Sequence, residues 1–306
     1  MNISKTIIPA AGLGSRFLPY TKAIPKEMVL LLDKPAIHYS VEESIQANLN
    51  NIIIITNKKR QTIFNYFDAA SNSKTTDNIR HKQDRMVGLN KLLRAAHFSY
   101  IQQSEPFGLG HAILMARHIV DPKEHVAVIL PDDIIIDEQP TIAQLAKIAS
   151  QEKASVIAVQ EVPNECLPLY GVIAIKKQIT PRLYQVSSLV EKPLSYDAPS
   201  NLAVIGRYIL SAKIFPILQE IYQNSEQEVQ LTDAISKLIR HGEKVIAYKI
   251  QGMRYDISTP VGWLKATIAL AMRHPEYAGH IKQFLTAEGM FDSFQFNPVK
   301  NILHKV

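Results

Sequence analysis

The sequence predicts an α/β fold in which a parallel sheet lies between layers of helices. Three observations lead to this prediction. Strand and helix signals alternate up to about residue 130, the strand signals are continuous apolar runs such as Ile52–Ile55, and apolar residues recur at fourfold spacing between Pro35 and Leu49. Strands covered by helices on both faces of a parallel sheet are apolar throughout, as these runs are.

The remaining elements follow from local patterns. Thr6–Ile8 is a short apolar run before a glycine-containing loop, and Ser71–Asn78 is polar without apolar periodicity, which predicts an exposed, mobile loop. Further apolar runs predict strands at Phe98–Ile101, Val126–Leu130, Val156–Val159, Val172–Ile175 and Ala203–Ile209, and helices at about Ala212–Ile221, Thr232–His241 and Pro260–Met272. We expect the second half to extend the sheet and to add a smaller lobe at its edge.

Composition narrows the class of protein. The chain has 306 residues, a single cysteine and a hydrophobic fraction of 46%, which is ordinary for a globular protein without an intrachain disulfide. Met1–Pro9 lacks the pattern of a signal peptide and no apolar run approaches ~20 residues, so we expect a cytoplasmic protein without membrane contact. A net charge of +6 permits a polyanionic partner. The basic residues are scattered and their tightest cluster, Lys58–Arg60, is short, which favours small phosphates over nucleic acid.

A glycine loop directly follows the first predicted strand. Gly12 and Gly14 let the backbone turn tightly and approach an anion, so that amide groups can hold phosphate oxygens. The spacing matches neither a dinucleotide-binding fingerprint nor a P-loop. Arg16, Lys22 and Lys26 follow in a segment stiffened by prolines, and such cations beside an amide-lined turn suit a triphosphate. A plain strand–helix turn with a solvated basic loop is the alternative.

Two aspartates are candidate ligands of a hard cation. Asp132 follows the strand Val126–Leu130, where α/β folds bind ligands, and Asp256 precedes a helix that begins near Pro260. Magnesium needs one or two protein carboxylates and fills its other positions with water and phosphate oxygens. Each aspartate could instead serve its local turn, and Ser258 or Thr259 could cap the helix. No histidine or cysteine spacing indicates zinc.

A further pair suits a sugar phosphate. Glu191 and Lys192 end a predicted strand, and Tyr170-Gly171 opens another. A carboxylate at the edge of a cleft can accept two hydroxyl groups of a hexose, and a lysine can neutralise its phosphate. An exposed ion pair before a turn is the simpler interpretation of the same residues.

Taken in order, these segments resemble those of the bacterial UTP–glucose-1-phosphate uridylyltransferases, from about Ile7 to Ala271. The matching segments are Pro9–Arg16, Lys22–Met28, Gly108–Ala112, Leu130–Asp133, Tyr170–Val172, Val190–Pro193, Asn201–Tyr208 and Val229–Ile235. Each segment is short, and their joint order is specific.

The resemblance implies a Rossmann-like nucleotidyltransferase fold with a mixed, mostly parallel sheet and a smaller sugar-binding lobe. It implies a domain over residues 1–273, with a nucleotide-binding half at 1–135 and a sugar-binding half at 136–273. We expect the tail, residues 274–306, to serve contacts in a homodimer or homotetramer. The implied reaction transfers the uridylyl group of UTP to glucose 1-phosphate by direct in-line displacement with Mg²⁺ as cofactor, and it yields UDP-glucose and pyrophosphate.

The resemblance also assigns roles to individual residues, which are as follows. The uracil site comprises Ala11, Gly12, Gln103 and Gly108; Gly14 belongs to the nucleotide loop; Arg16 and Lys26 face the triphosphate; Asp132 and Asp256 bind magnesium; Gly171, Glu191 and Ala203 or Val204 line the sugar site; and Lys192 contacts the sugar phosphate.

Three segments depart from the family pattern. Ser15 replaces a usual threonine, Gln102 and Ser104 flank Gln103 where arginine and glycine are common, and Asp256–Thr259 replaces Asp-Cys-Gly. Three alternatives stay open: a glucose-1-phosphate thymidylyltransferase, a catalytically weak relative that binds nucleotide sugar as a regulatory subunit, and, from the positive net charge, a nucleic-acid-binding protein.

Overall fold

The fold is built around a single large sheet. The computed structural model describes residues 1–58, 60–68, 80–224 and 227–289; the predicted loop Ser71–Asn78 and the tail from residue 290 lie outside these ranges. The strands are β1 (Ile3–Ala10), β2 (Leu30–Leu31), β3 (Lys34–Pro35), β4 (Asn51–Thr56), β5 (His97–Gln102), β6 (His125–Ile129), β7 (Asp133–Ile136), β8 (Ser155–Glu161), β9 (Gly171–Thr180), β10 (Leu183–Glu191), β11 (Leu202–Ser211), β12 (Val245–Lys249) and β13 (Met253–Asp256).

Helices cover the sheet in the described part of the chain. They are α1 (Ala36–Gln46), α2 (Arg60–Phe67), α3 (Arg80–Ala95), α4 (Gly108–Leu114), α5 (Thr141–Glu152), α6 (Ile214–Gln223), α7 (Leu231–Arg240), α8 (Pro260–Ala271) and α9 (Tyr277–Ala287). Every helix and strand predicted from local patterns in the described residues is present. None of these helices combines the length and the apolar character that a membrane span requires.

The main sheet has nine strands in the order β5-β4-β1-β6-β11-β8-β12-β10-β9. The strands β5, β4, β1 and β6 are parallel neighbours, as are β8 and β12, whereas β10 and β11 run antiparallel to all their partners. The expected mixed, mostly parallel sheet is therefore confirmed. Because β11 lies between β6 and β8, the two halves of the chain share one sheet.

Two apolar cores lie on opposite faces of this sheet. Ile53 and Ile55 of β4 point into one core, and Ile52 and Ile54 point into the other. This alternation follows from the period of two in a strand. Both faces are apolar because helices cover both, which explains the continuous β-branched run in the sequence.

A second, two-stranded sheet positions the far-downstream aspartate. β13 pairs antiparallel with β7, which directly follows the end of β6, and Asp256 lies opposite Asp133. A small apolar cluster that includes Ile134, Ile257 and Leu270 packs α8 beneath this ribbon. The ends of β6 and β13 therefore meet at one edge of the fold.

Candidate functional site

The structure brings the two predicted metal-binding aspartates together. The backbone N–H of Ile257, next to Asp256, donates a hydrogen bond to the carbonyl of Asp132 at 2.8 Å. Both aspartates line an open cleft, the kind of concave site in which small ligands bind. The local turn role considered for Asp256 is real as well, since its Oδ1 accepts the N–H of Ser258 at 2.9 Å. Thr259, not Ser258, caps α8 through the N–H of Gly262.

Lys26 forms an ion pair with Asp132, one of these two aspartates. Its Nζ is 2.6 Å from Oδ2 of Asp132, and both side chains are about one quarter exposed. Burial alone would raise the pKa of Asp132, but the charge and hydrogen bond of Lys26 outweigh it and hold the pKa below its ordinary value. Burial opposes the charge of Lys26, yet the carboxylates of Asp132, Glu27 and Asp256 keep its pKa above its ordinary value. Both groups are therefore ionised at neutral pH.

Asp133 has a structural role that Asp132 lacks. Its side chain is buried, with Oδ2 accepting the N–H of Gly206 and Oδ1 accepting Nε of Arg254, each at 2.7 Å. Burial raises the pKa of Asp133, an effect that Arg254 partly offsets. Arg254 also reaches Oδ2 of Asp256 at 3.3 Å and the hydroxyl of Tyr170 at 3.3 Å. Asp133 thus anchors a guanidinium that orients Asp256.

The glycine loop reaches the same place. Gly14 adopts a left-handed backbone with φ of 65°, and its carbonyl accepts the hydroxyl of Thr21 at 2.7 Å. Arg16 donates from Nη1 to Oγ of Ser258 at 3.0 Å. A Cβ added at Gly12 would lie 3.0 Å from Cε of Lys26, so this glycine permits the close approach of Lys26 to the loop. Arg16 and Lys26 therefore reach the two segments that carry Asp256 and Asp132.

Of the residues assigned to the base, Ala11 and Gln103 directly follow β1 and β5, the two neighbours of β4 in the sheet. Gln103 is buried, and its Nε2 donates to the carbonyl of Gly108 at 3.3 Å. Gly108 needs its φ of 88°, which other residues rarely adopt, and a Cβ there would lie 3.1 Å from Cβ of Glu228. Ala11 is buried, and its carbonyl accepts Nδ2 of Asn57 at 3.3 Å.

Of the residues assigned to the sugar, Gly171, Glu191 and Val204 line the cleft. Oε2 of Glu191 accepts the hydroxyl of Thr232 at 2.9 Å, and Oε1 lies 3.4 Å from Nζ of Lys192. A Cβ on Gly171 would lie 3.2 Å from Oε2 of Glu191. Val204 lines the cleft, whereas Ala203 is fully buried in β11. Lys192 is more than half exposed, so its charge is free to meet an anion while it contacts Glu191.

The donor set fits a magnesium ion. No group of three or more metal-binding side chains gathers within the described ranges, so a cage made entirely of protein ligands is absent there. Magnesium does not need one, because two carboxylates together with water and phosphate oxygens suffice. Asp132 and Asp256 are partly exposed and have hard oxygen donors, whereas the carboxylate of Asp133 is already committed to Arg254 and Gly206.

Local sequence patterns did not single out several residues that line the cleft. They are Asp133, Tyr208, Gln230, Thr232 and Arg254, together with Tyr170 in its role as a partner of an aspartate. Arg254 could have been predicted from its spacing, because it lies two residues before Asp256 on one strand and both side chains therefore point to the same face. Thr232 had no signal, because it opens a helix whose partner strand is distant in the sequence.

The chain is similar to known nucleotidyltransferases over most of its length. A family model described as nucleotidyl transferase matches residues 5–272. A UTP–glucose-1-phosphate uridylyltransferase of Staphylococcus epidermidis is 42% identical, with 92% of this chain and 97% of that protein covered. A structure of UDP-glucose pyrophosphorylase complexed with UDP-glucose is 37% identical with a TM-score of 0.81, covering 89% of this chain and 100% of the other. A UTP-bound enzyme from Acinetobacter baumannii is 35% identical with a TM-score of 0.84, covering 93% and 99%.

Proposed function

Because this chain belongs to the nucleotidyl transferase family, among its UTP–glucose-1-phosphate uridylyltransferases, we propose that the cleft transfers the uridylyl group of UTP to glucose 1-phosphate. UDP-glucose and pyrophosphate are the products. The observation that carries the proposal is the meeting of Lys26, Asp132 and Asp256 at a cleft that also contains Glu191.

The reaction is a direct displacement at phosphorus. An oxygen of the phosphate of glucose 1-phosphate forms a bond to the α-phosphorus of UTP, and the bond to the bridging oxygen of the β-phosphate breaks. The electron pair of that bond leaves with pyrophosphate. The attacking phosphate is already anionic at neutral pH, so the chain supplies position and charge rather than a strong base.

The chain's own residues orient both substrates. Gln103 and Gly108 face the base, and Glu191 accepts hexose hydroxyls while Thr232 holds its carboxylate in place. Lys192 attracts the phosphate of the sugar. Arg16 and Lys26 offset the negative charge that develops on pyrophosphate, the two-cation arrangement that phosphoryl transfer favours.

Enzymes of this family generally use a divalent metal, and we propose Mg²⁺ held by Asp132 and Asp256. When bound, the ion neutralises phosphate oxygens and aligns them for displacement. The support is the pair of hard carboxylate donors at the end of β6 and β13.

The test is pyrophosphate release from UTP plus glucose 1-phosphate, with and without Mg²⁺. We expect turnover with UTP, little with dTTP, and loss of activity on chelation that Mg²⁺ restores. Asp132→Asn should lower kcat by about a hundredfold or more. Asp137→Asn is the matched control, since this aspartate lies just after β7 and outside the cleft. No pyrophosphate from UTP would refute the proposal, and equal turnover of dTTP would refute the choice of base.

The proposal includes assembly into a homo-oligomer. On α8, Val261, Leu264 and Ile268 are at least half exposed and follow one helical face. An apolar stripe of this kind is typical of an interface between subunits. Leu264→Glu should shift the sedimentation coefficient towards that of a monomer. Val87→Glu, at an exposed apolar position on α3, should not; an unchanged coefficient for both variants would contradict this interface.

A further inference from the structure

The largest fully buried side chain among the described residues is that of Arg207. It lies on β11, is 2% exposed, and stands opposite Ile129, the last residue of β6. Nothing in the local sequence marks it, because its neighbours on β11 are apolar. Its position places a guanidinium directly behind the turn that carries Asp132.

Every N–H of this guanidinium has an acceptor. Nε lies 2.9 Å from Oε2 of Glu43, Nη2 lies 2.7 Å from the same oxygen and 2.9 Å from the carbonyl of Asp133, and Nη1 lies 3.2 Å from the carbonyl of Leu130 and 2.9 Å from that of Gly206. An arginine has five donors, so none is left over.

These acceptors flank the metal turn on both sides. Leu130 and Asp133 bracket Asp132, and the guanidinium holds both of their carbonyls at once. Gly206 makes two further hydrogen bonds to this segment: its N–H donates to Oδ2 of Asp133, and its carbonyl accepts the N–H of Leu130. The backbone on either side of Asp132 is thereby fixed from behind.

Glu43 in turn fixes the arginine. It lies on α1, a different element from the strand and the turn, and its Oε1 accepts the N–H of Ile142 at the start of α5 at 2.9 Å. The carboxylate therefore fastens Arg207 to two helices. A lysine at position 207 could not reproduce this, because an ammonium has three donors and no planar fork.

Stability alone does not account for this ion pair. Burying two charges carries a desolvation penalty that their attraction often fails to exceed, and a well-packed apolar pair of the same volume is often as stable. What an apolar pair could not do is hold the carbonyls of Leu130 and Asp133 in fixed positions. The arrangement is explained by the position that it imposes on Asp132.

We propose that Arg207, held by Glu43, is a positioning residue that fixes the turn of Asp132 for metal binding. This inference rests on the proposed function, since it assigns a purpose to the metal site of the same cleft. Groups that orient a metal ligand typically contribute 10- to 100-fold to metal affinity or activity. Glu43→Gln should therefore weaken metal affinity by about that factor.

The experiment compares Glu43→Gln with Glu124→Gln. Glu124 is likewise an ion-paired glutamate with little exposure, 2% against 11% for Glu43, and it accepts hydrogen bonds from the N–H of Asp121 and the ammonium of Lys5, but it lies at the opposite end of β6. Both variants lose one buried charge and should lose similar stability in urea unfolding. Mn²⁺ binding, followed by the electron paramagnetic resonance signal of the free ion, provides a readout independent of turnover.

We expect Glu43→Gln to weaken Mn²⁺ binding 10- to 100-fold and to lower kcat with little change in KM for UTP, while Glu124→Gln binds Mn²⁺ like the parent chain. Arg207→Lys removes the fork that holds the turn directly, so it should weaken Mn²⁺ binding at least as much as Glu43→Gln, and it serves as the test if Glu43→Gln does not fold. Equal Mn²⁺ affinity in the glutamate variants, or no Mn²⁺ binding by the parent chain, would overturn the inference. A parent chain that binds Mn²⁺ but releases no pyrophosphate would refute the proposed reaction instead, while the Mn²⁺ comparison still decides the role of Arg207.

Discussion

Replacing the buried Glu27 by glutamine should make the protein more stable at alkaline pH. Glu27 is 2% exposed, and neither oxygen of its carboxyl group has a hydrogen-bond partner in the described structure. It faces the glycine loop, since a Cβ on Gly12 would lie 3.8 Å from Oε1. Burial raises the pKa of Glu27 from 4.5 to about 7, and the attraction of Lys26 only partly offsets this.

The size of the effect follows from this pKa. One pKa unit corresponds to about 1.4 kcal/mol, so the rise to about 7 corresponds to about 3 kcal/mol. The folded state binds the proton more tightly than the unfolded chain. The contribution to stability is therefore complete below pH 4.5 and is lost as the pH rises to about 7.

The assay is urea unfolding of the parent chain and Glu27→Gln at several pH values from 5 to 8. Glutamine has the same shape and does not titrate, so the free energies of unfolding should be similar at pH 5. By pH 8 the variant should be more stable than the parent by about 2 to 3 kcal/mol. Glu138→Gln, at an exposed glutamate, is the control and should follow the parent chain at every pH.

The parent chain and Glu27→Gln share all other titrating groups. The difference between their free energies of unfolding therefore removes the contribution of those groups. A constant difference between Glu27→Gln and the parent across the whole pH range would refute the reasoning. It would mean that the carboxyl group ionises in the folded protein as readily as in the unfolded chain.

Three further predictions concern the cleft. Gly171→Ala should raise KM for glucose 1-phosphate at least tenfold with KM for UTP unchanged, because the new Cβ would lie 2.5 Å from Cγ2 of Thr232; equal effects on both KM values in steady-state kinetics would contradict this. Gly14→Ala should raise KM for UTP about tenfold, because a left-handed φ of 65° costs residues other than glycine about 1–2 kcal/mol. An unchanged KM would show that the loop accommodates alanine without this cost. Ser258→Gly should change kcat or KM less than about threefold, because its exposed hydrogen bond to Arg16 contributes only about 0.5 kcal/mol; a larger change would show that this contact controls the loop.

Local sequence was a good guide to the elements, and it also supplied the two candidate metal ligands. The β-branched run at β4 indicated a strand buried on both faces, and the structure shows alternate isoleucines in the two cores. Asp132 was identified from its place after an apolar run, and Asp256 from its place before a helix. The strand prediction succeeds because backbone preference and burial pattern are encoded within a few neighbouring residues, whereas the metal-binding role of the two aspartates stays a prediction.

The charged residues that surround Asp132 and Asp256 could not be predicted from local sequence. Glu43 and Arg207 are 164 positions apart, and Arg207 lies in an otherwise apolar strand. Arg254 could have been flagged by its spacing from Asp256, but its tie to Asp133 depends on the pairing of β13 with β7. A contact between distant segments is decided by which strands become neighbours, and local pattern does not contain that information.

By itself, the sequence determined the α/β class, the glycine loop, the two aspartates and the likeness to a family of uridylyltransferases. The tertiary structure alone decided that β11 inserts antiparallel beside β6, and that a buried arginine therefore stands behind the turn of Asp132. The physical reason is that burial of a charge requires acceptors from several elements at once. Only the folded chain brings those acceptors together.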